Sequence, residues 1–546
     1  MKAPQEIDPA LAQLADAILI PPFPGHGAPP WILEALGDGL AGVTLFGLNV
    51  GSTTQLARLT ATLRAAGLEA AGLAAAGAAG GVLAGGGVLA GGGALAGASA
   101  ALGGGGGLAE GDAGVGPALP VIAIDEEGGD VTRIAHQGGS PYPGNAALGA
   151  IDDASLTEAV YAALGADLAA LGITLNLAPA VDVNTAADNP VIGTRSFGAD
   201  TALVARHAAA AVTGLQSAGV AACAKHFPGH GSTRLDSHHE LATVDAPVSL
   251  LAERDLPPFA AAIAAGVRAI MPGHLRVPEL TGDLPASLSP AALTGLLRSE
   301  MGFTGVIVSD GLEMRAVSDV YGIPEAAVMA VLAGTDLLCL GRDQDWQMYA
   351  DVRAALVSAV ASGRLPAARL ADAAARVAEL RSWTTAVQAR GARAGTTAAE
   401  IGLAAARRAV RVDGVPQPLH RPFVVEIVPP ANMAAGAVPW GLGAWVPAVS
   451  LRRISTGESE AGLVTSIAGL LAEAAGRSLV IVVRDAHRYP AAADVASRIL
   501  AARPDAVVVE MGLPVWRPPA GLYLATFGAA QTSSRAAAEV LGLAVP

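Results

Sequence analysis

Cysteine is nearly absent: 546 residues hold two, Cys223 and Cys339, each inside an apolar run. Two such thiols make neither a disulfide framework nor a metal site, so both read as small core residues. Basic charge is also short. The chain has 34 Lys and Arg against 48 Asp and Glu, a net charge of −14. That argues against nucleic acid or an anionic membrane surface as the main partner. The opening residues, MKAPQEIDPALAQLADAILIPPFPG, are broken by acidic residues and prolines, with no uninterrupted apolar core before a cleavage site. No secretory signal is expected, and a cytoplasmic location follows. Charge is missing altogether between Ala70 and Ala109. This Gly/Ala-rich stretch is long and apolar enough to raise a membrane span. Its dense glycines and small side chains make a poor helix and a poor lipid partner, so 67–118 is expected to be a flexible or irregular insertion.

What is present is a strong alternation. Short apolar runs occur at 18–23, 42–47, 121–125, 174–183, 221–227, 268–274, 306–311 and 336–341, with Ala/Leu-rich amphipathic stretches between most of them. Runs without polar alternation suit strands covered on both faces. Eight strand–helix repeats predict a (β/α)8 TIM-type barrel over 1–381. In such a barrel the chemistry belongs at the carboxyl ends of the strands. Asp125, Asp182, Lys225–His226, His274 and Asp310 all stand at the ends of their runs. After a linker at 382–420, strand-like runs at 423–428, 478–485, 506–512 and 522–528 alternate with helical stretches and predict a smaller α/β sandwich over 421–546. That second part offers no convincing active-site motif. Asp485, His487 and Arg488 follow one of its strands and could face the barrel, though a surface role is the stronger expectation for them.

The richest segment is 221–240, AACAKHFPGHGSTRLDSHHE, with four of the ten histidines. A buried strand ends at Lys225–His226, and Pro228, Gly229 and Gly231 then break regular structure. His226 and His230 have the spacing of a helical metal pair, but those three residues preclude the helix. Read alone, Asp236-Ser237-His238 is better explained by a solvated loop than by a catalytic one.

KHFPGHG followed by DSH, with AIDEEGG (123–129), NPVIGTRSFG (189–198), ASLSP (286–290) and GFTGVIVSDGLEM (302–314) in order, resembles glycoside hydrolase family 3. The likeness is to its bacterial β-N-acetylglucosaminidase branch and runs from about Ile18 to about Arg381. It implies a retaining exo-β-N-acetylglucosaminidase acting on small amino-sugar glycosides such as cell-wall fragments, with no metal or organic cofactor. Asp310 matches the nucleophile of the family's S-D motif; on the residues alone, a helix N-cap ahead of LEMRAVS is the alternative. His238, paired with Asp236, matches the acid/base, and imidazole titrates where such a group must work. His239 is its rival by position. Asp125, Arg195, Lys225, His226 and His274 match residues that hold the sugar. A salt bridge to Asp182 or Asp188 is the alternative for Arg195, and core packing that for His274. Glu127 reads as scaffold. Gly311 and Asp130 stand where relatives often carry Asp and Arg. A β-N-acetylglucosaminide phosphorylase, a β-glucosidase or xylosidase of the same family, and a non-catalytic sugar-binding protein remain as rival readings.

Overall fold

The first half of the chain wraps eight short parallel strands into a ring, seen in a computed structural model that describes residues 8–81, 118–237, 240–390, 398–430, 434–457 and 459–543. The strands are β1 (Leu19–Ile20), β2 (Gly42–Leu45), β3 (Val121–Ile124), β4 (Leu175–Asn176), β5 (Ala221–Phe227), β6 (Ala269–Pro272), β7 (Val306–Ile307) and β8 (Leu338–Cys339). β2 through β7 form one continuous sheet, and β1 pairs with β8. A parallel bridge from Val308 to Leu337 joins β7 to β8. Hydrogen bonds from Ala41 N to Asp16 O (2.9 Å) and from Thr44 N to Pro21 O (3.2 Å) join the β1 and β2 segments and close the ring. The eight apolar runs of the sequence therefore each supply one strand of the barrel.

Side chains alternate across each strand. One set points inward: Ile20, Val121, Ala123, Leu175, Leu177, Ala221, Cys223, Ala269, Met271, Val306, Val308 and Cys339 fill the barrel interior. The other set, including Val43, Ile122, Ile124, Ala222, Ile270 and Ile307, packs under the surrounding helices. Both faces being dry explains why the runs show no polar alternation. The two cysteines are free, buried and inside the barrel. Helix Ala367–Ala389 brings Val377, Leu380 and Trp383 to the same interior cluster.

One expectation changes here. Helix Thr53–Gly81 runs well past residue 67, so the start of the Gly/Ala-rich segment is helical. Alanine's helix propensity offsets the scattered glycines there. Residues 82–117 lie outside the described residues. Among the described residues, no single helix is long and apolar enough to cross a membrane.

The second half forms a six-stranded sheet. Its strands are β9 (Arg411–Gly414), β10 (Phe423–Val428), β11 (Leu451–Ser455), β12 (Leu479–Val483), β13 (Val507–Glu510) and β14 (Leu522–Ala525), in the order β9-β14-β13-β12-β10-β11. Only β9 is antiparallel to its neighbour. Helices Glu460–Glu473 and Pro490–Ala502 cover one face through Leu463, Ile467, Val495 and Ile499. Helix Gln531–Val540 covers the other. Two edge strands were not legible. β11 carries the exposed Arg452 and Arg453, and β9 lies within the stretch read as a linker. Edge strands expose one side and so lack the apolar signature of central ones.

The two halves meet through buried polar contacts. Asp130 accepts hydrogen bonds from Thr194 Oγ1 (2.7 Å) and Ala529 N (2.7 Å), and lies 3.3 Å from Arg484 Nη2. His487 Nε2 meets Ala187 O at 2.7 Å, and Arg488 donates to Pro190 O. Asp485 accepts from Leu513 N at 3.0 Å and lies 3.6 Å from Arg488, whereas His487 and Arg488 face the barrel and do not form a free surface. The helix-start loop after β12 turns them toward it.

Candidate active site

The carboxyl ends of β3, β5 and β7 and the loop after β4 converge on a cavity of about 690 Å³. Asp125, Glu127, Arg195, Lys225, His226, Ser237 and Asp310 all line it. Its centre is an ion-pair cradle. Lys225 Nζ lies 2.7 Å from Asp125 Oδ1 and 2.8 Å from Glu127 Oε1. Arg195 grips Glu127 with both arms, Nε to Oε2 at 2.9 Å and Nη2 to Oε1 at 2.7 Å. Glu127 is therefore the hub that holds Lys225 and Arg195, which fits its reading as scaffold. Lys225 is one of two lysines in the chain, the other being Lys2.

Burial dictates this pairing, because an isolated charge is costly away from water. Burial alone would raise the Glu127 carboxyl, but Arg195 and Lys225 outweigh it and hold it far below the usual range. Asp125 is likewise lowered: burial opposes ionisation, and Lys225 and Arg133 overcome it. Burial would lower Lys225, yet Asp125 and Glu127 raise it. The cradle is thus fully ionised, with acceptors and donors fixed in place. Arg133 stands 3.8 Å from Asp125 and donates twice to Ala434 O, at 3.1 Å each. Glu126, buried behind, accepts from Arg133 N (2.8 Å) and Ile134 N (3.0 Å) and fixes that turn.

The β5 loop is held by Asp182. Its carboxylate accepts from His226 N (3.2 Å) and His230 N (2.7 Å) and pairs with His226 Nδ1 at 2.8 Å. His226 Nε2 then faces Arg195 Nη2 at 3.3 Å. Further along, Thr233 donates its hydroxyl to His230 O (3.0 Å), so His230 Nδ1–H donates to Thr233 Oγ1 (2.6 Å). His230 Nε2 is left to accept from Ser237 Oγ at 3.0 Å. Gly231 permits this folding: a Cβ there would sit 1.9 Å from Val183 O. The two histidine rings meet edge-on at 5.9 Å with their nitrogens engaged, so they form no metal pair.

Asp310 follows β7, lines the cavity half-buried, and accepts from Gly311 N at 2.8 Å. It caps no helix, since the next one begins at Arg315 with Met314 as its N-cap. Asp236 is half-buried on the flap. His238 and His239 lie outside the described residues, but Ser237 beside them opens on the same cavity as Asp310. Arg195 bonds neither alternative partner: Asp182 is taken by His226, and Asp188 pairs with Arg234. His274 is displaced from its expected sugar contact. It is fully buried, with Nδ1 at 2.7 Å from Ser287 Oγ and Nε2 at 3.0 Å from Gly311 O, and so braces the backbone beside Asp310. Glu313 folds back over Gly311 and Gly341, where added Cβ atoms would lie 2.3 and 1.4 Å from its Oε2. One wall went unforeseen. Residues 434–438 from the second half line the cavity, and Ala-Ala-Gly-Ala-Val carries no functional group to betray it.

The family model described as "Glycosyl hydrolase family 3 N terminal domain" matches residues 114–380. A β-hexosaminidase, LpqI of Mycobacterium tuberculosis, is 38% identical over 283 residues, which are 50% of this chain and 71% of that one. The chain belongs to glycoside hydrolase family 3. Within family 3, β-hexosaminidase A of Pseudoalteromonas piscicida is 36% identical over 285 residues, and the matched part covers 48% of each chain. The chain thus aligns with about half the length of that relative. The similarity extends to the second half in one solved structure, a family 3 β-N-acetylglucosaminidase from a Paenibacillus species. It superposes with a TM-score of 0.79 at 30% identity and covers 98% of this chain and 97% of its own. The barrel-plus-sandwich architecture is therefore that of family 3.

Proposed function

We propose that this chain is a retaining exo-β-N-acetylglucosaminidase that removes terminal β-linked N-acetylglucosamine from small glycosides, cell-wall fragments among them. The observation that carries this reading is one cavity into which the Asp310 carboxylate, the ionised Asp125–Lys225–Glu127–Arg195 cradle and Ser237, next to Asp236, all open. The relatives named β-hexosaminidases and the β-N-acetylglucosaminidase fold support the substrate class.

In this scheme the cradle grips the sugar. Asp125 accepts from its hydroxyls, and Arg195, Lys225 and His226 engage hydroxyls or the acetamido group. Asp310 attacks the anomeric carbon as the bond to the leaving oxygen breaks. His238, supported by Asp236, gives that oxygen its proton. The same imidazole then takes a proton from water, which attacks the anomeric carbon and frees Asp310 with net retention.

The test compares nitrophenyl N-acetyl-β-glucosaminide with nitrophenyl β-glucoside, in the presence and absence of phosphate. Fast release from the first alone, unchanged by phosphate, is expected. A sugar-phosphate product would make the protein a phosphorylase, and preference for the glucoside would move it to another branch. Trapping with a slow 2-fluoro or N-acetyl glycoside should label Asp310. A label elsewhere, or activity surviving Asp310→Ala, removes the mechanism.

A further inference from the structure

The segment that carries Arg195 has little regular structure of its own. Residues 177–200 join β4 to helix Thr201–Ser217, and their one helical turn is Gly193–Arg195. So short a 3-10 turn is weakly held by its own hydrogen bonds, and its place is set by what it touches. On the barrel side, Asn145 Nδ2 donates to Arg195 O at 2.7 Å. Next to Arg195, Thr194 Oγ1 donates to Asp130 Oδ2 at 2.7 Å. Asp130 in turn sits in the tight turn that Glu127 opens: Glu127 N donates to Val131 O at 3.0 Å, and Val131 N to Gly128 O at 3.2 Å. Two rungs therefore join the same two segments, Glu127 to Arg195 and Asp130 to Thr194. The first rung belongs to the sugar cradle. One rung alone would let the segments pivot about it; the second fixes their angle.

The second rung is anchored from behind by the second half. Asp130 Oδ1 accepts from Ala529 N at 2.7 Å, and Arg484 Nη2 lies 3.3 Å from Oδ2. Asp130 and Thr194 are both buried, so water does not compete for these bonds. A carboxylate suits the position because both its oxygens accept, and three donors from three segments meet there; an amide would turn a donor toward one of them. The same half reaches the Arg195 segment twice more, at Ala187 O through His487 and at Pro190 O through Arg488. We infer that Asp130 is a positioning residue for the sugar cradle: through the Thr194 hydroxyl it sets the aim of Arg195, and the second half holds it there, a role that rests on the glycosidase reading above. The barrel's grip on the sugar ring, whatever the leaving group, then depends on a contact made outside the cavity's reacting groups.

The experiment measures kcat and KM for nitrophenyl N-acetyl-β-glucosaminide, the inhibition constant of N-acetylglucosamine, and the Tm. The protein is the full chain and its Thr194→Val, Thr194→Ser and Arg484→Met variants. Thr194→Val keeps the side-chain volume and removes only the hydroxyl. It should raise KM and the inhibition constant on the order of tenfold, as expected for one buried hydrogen bond to a charged group. Thr194→Ser restores the hydroxyl and should bring both constants back toward the parent's. Arg484→Met, which strips the rear of Asp130, should raise them by a smaller factor. Because both changes act through Asp130, the double variant should lose less than the product of the two single losses. Parental constants in Thr194→Val, equal losses in Thr194→Ser and Thr194→Val, or fully independent losses in the double variant overturn the inference. Should Arg484→Met fail to fold, the Val and Ser pair decides alone. Calorimetric binding of N-acetylglucosamine to Asp310→Ala, with and without Thr194→Val, repeats the comparison without turnover. A parent without nitrophenyl activity whose sugar binding still needs the Thr194 hydroxyl would sink the glycosidase reading and leave the role of Asp130 standing.

Discussion

His230 joins the flap to the barrel, and acid should undo that joint. The ring is buried, and that burial, with repulsion from His226 and against the pull of Asp182, holds it down at about 4 from an ordinary 6.5. Its lone pair accepts from Ser237, one residue from His238. Between these two values the unfolded chain binds the proton and the folded chain does not, so stability falls as pH drops from 6.5 toward 4 and levels off below. At 1.36 kcal/mol per unit the loss is about 3 kcal/mol. The perturbation is His230→Asn, which can still reach Thr233 but offers Ser237 no acceptor. At neutral pH it should cost about 1–3 kcal/mol for the buried hydroxyl left unpaired. It also removes the acid penalty. Unfolding of parent and variant, followed at pH 7, 5.5 and 4, should show the parent's advantage shrink to nothing or reverse. In the pH–rate profile, the variant should lose kcat/KM at neutral pH through a loosened flap. An advantage that stays constant from pH 7 to pH 4 would refute the assignment of a neutral, lone-pair-bearing His230.

Glu127→Gln leaves Lys225 and Arg195 without their shared anion in a site where both side chains are under a tenth exposed. A loss of about 3–5 kcal/mol in unfolding free energy is expected, with kcat/KM down on the order of 10²-fold or more; near-parental values would mean that Glu127 is not the hub. Asp336 binds Arg369 at 2.6 Å and Ile307 N at 2.9 Å, and also pairs with Arg298, at the amino end of β8 opposite the site. Asp336→Asn should lower the Tm while the folded enzyme keeps its kcat/KM, because the ion pairs there brace the barrel's floor, away from the site. Gly231→Ala drives a methyl group into Val183 O. It should cost about 1–3 kcal/mol as an overpacking change and cut kcat more than its Tm shift suggests. An unchanged kcat would separate the flap's base from catalysis.

The barrel was legible because its signal is local. Each strand declares itself by a dry apolar run, and a polar residue closing such a run has little choice but the barrel mouth, as with Asp125, Lys225 and Asp310. The central strands of the second sheet were readable for the same reason. Edges β9 and β11 were not, since every residue of β9 and most of β11 face water. The helix to Gly81 was missed because glycine content was weighed above alanine content.

Sequence by itself therefore settled the barrel and the number of its strands. Tertiary structure alone decided the partners. It gave Arg195 to Glu127 where sequence offered Asp182 or Asp188, set His274 behind the pocket, and turned Arg484, His487 and Arg488 onto the barrel. Which acid a buried base pairs with depends on how closely strands distant in sequence pack, and no local pattern encodes that distance. A wall made of Ala434 to Val438 is the limiting case: only its position gives it a role.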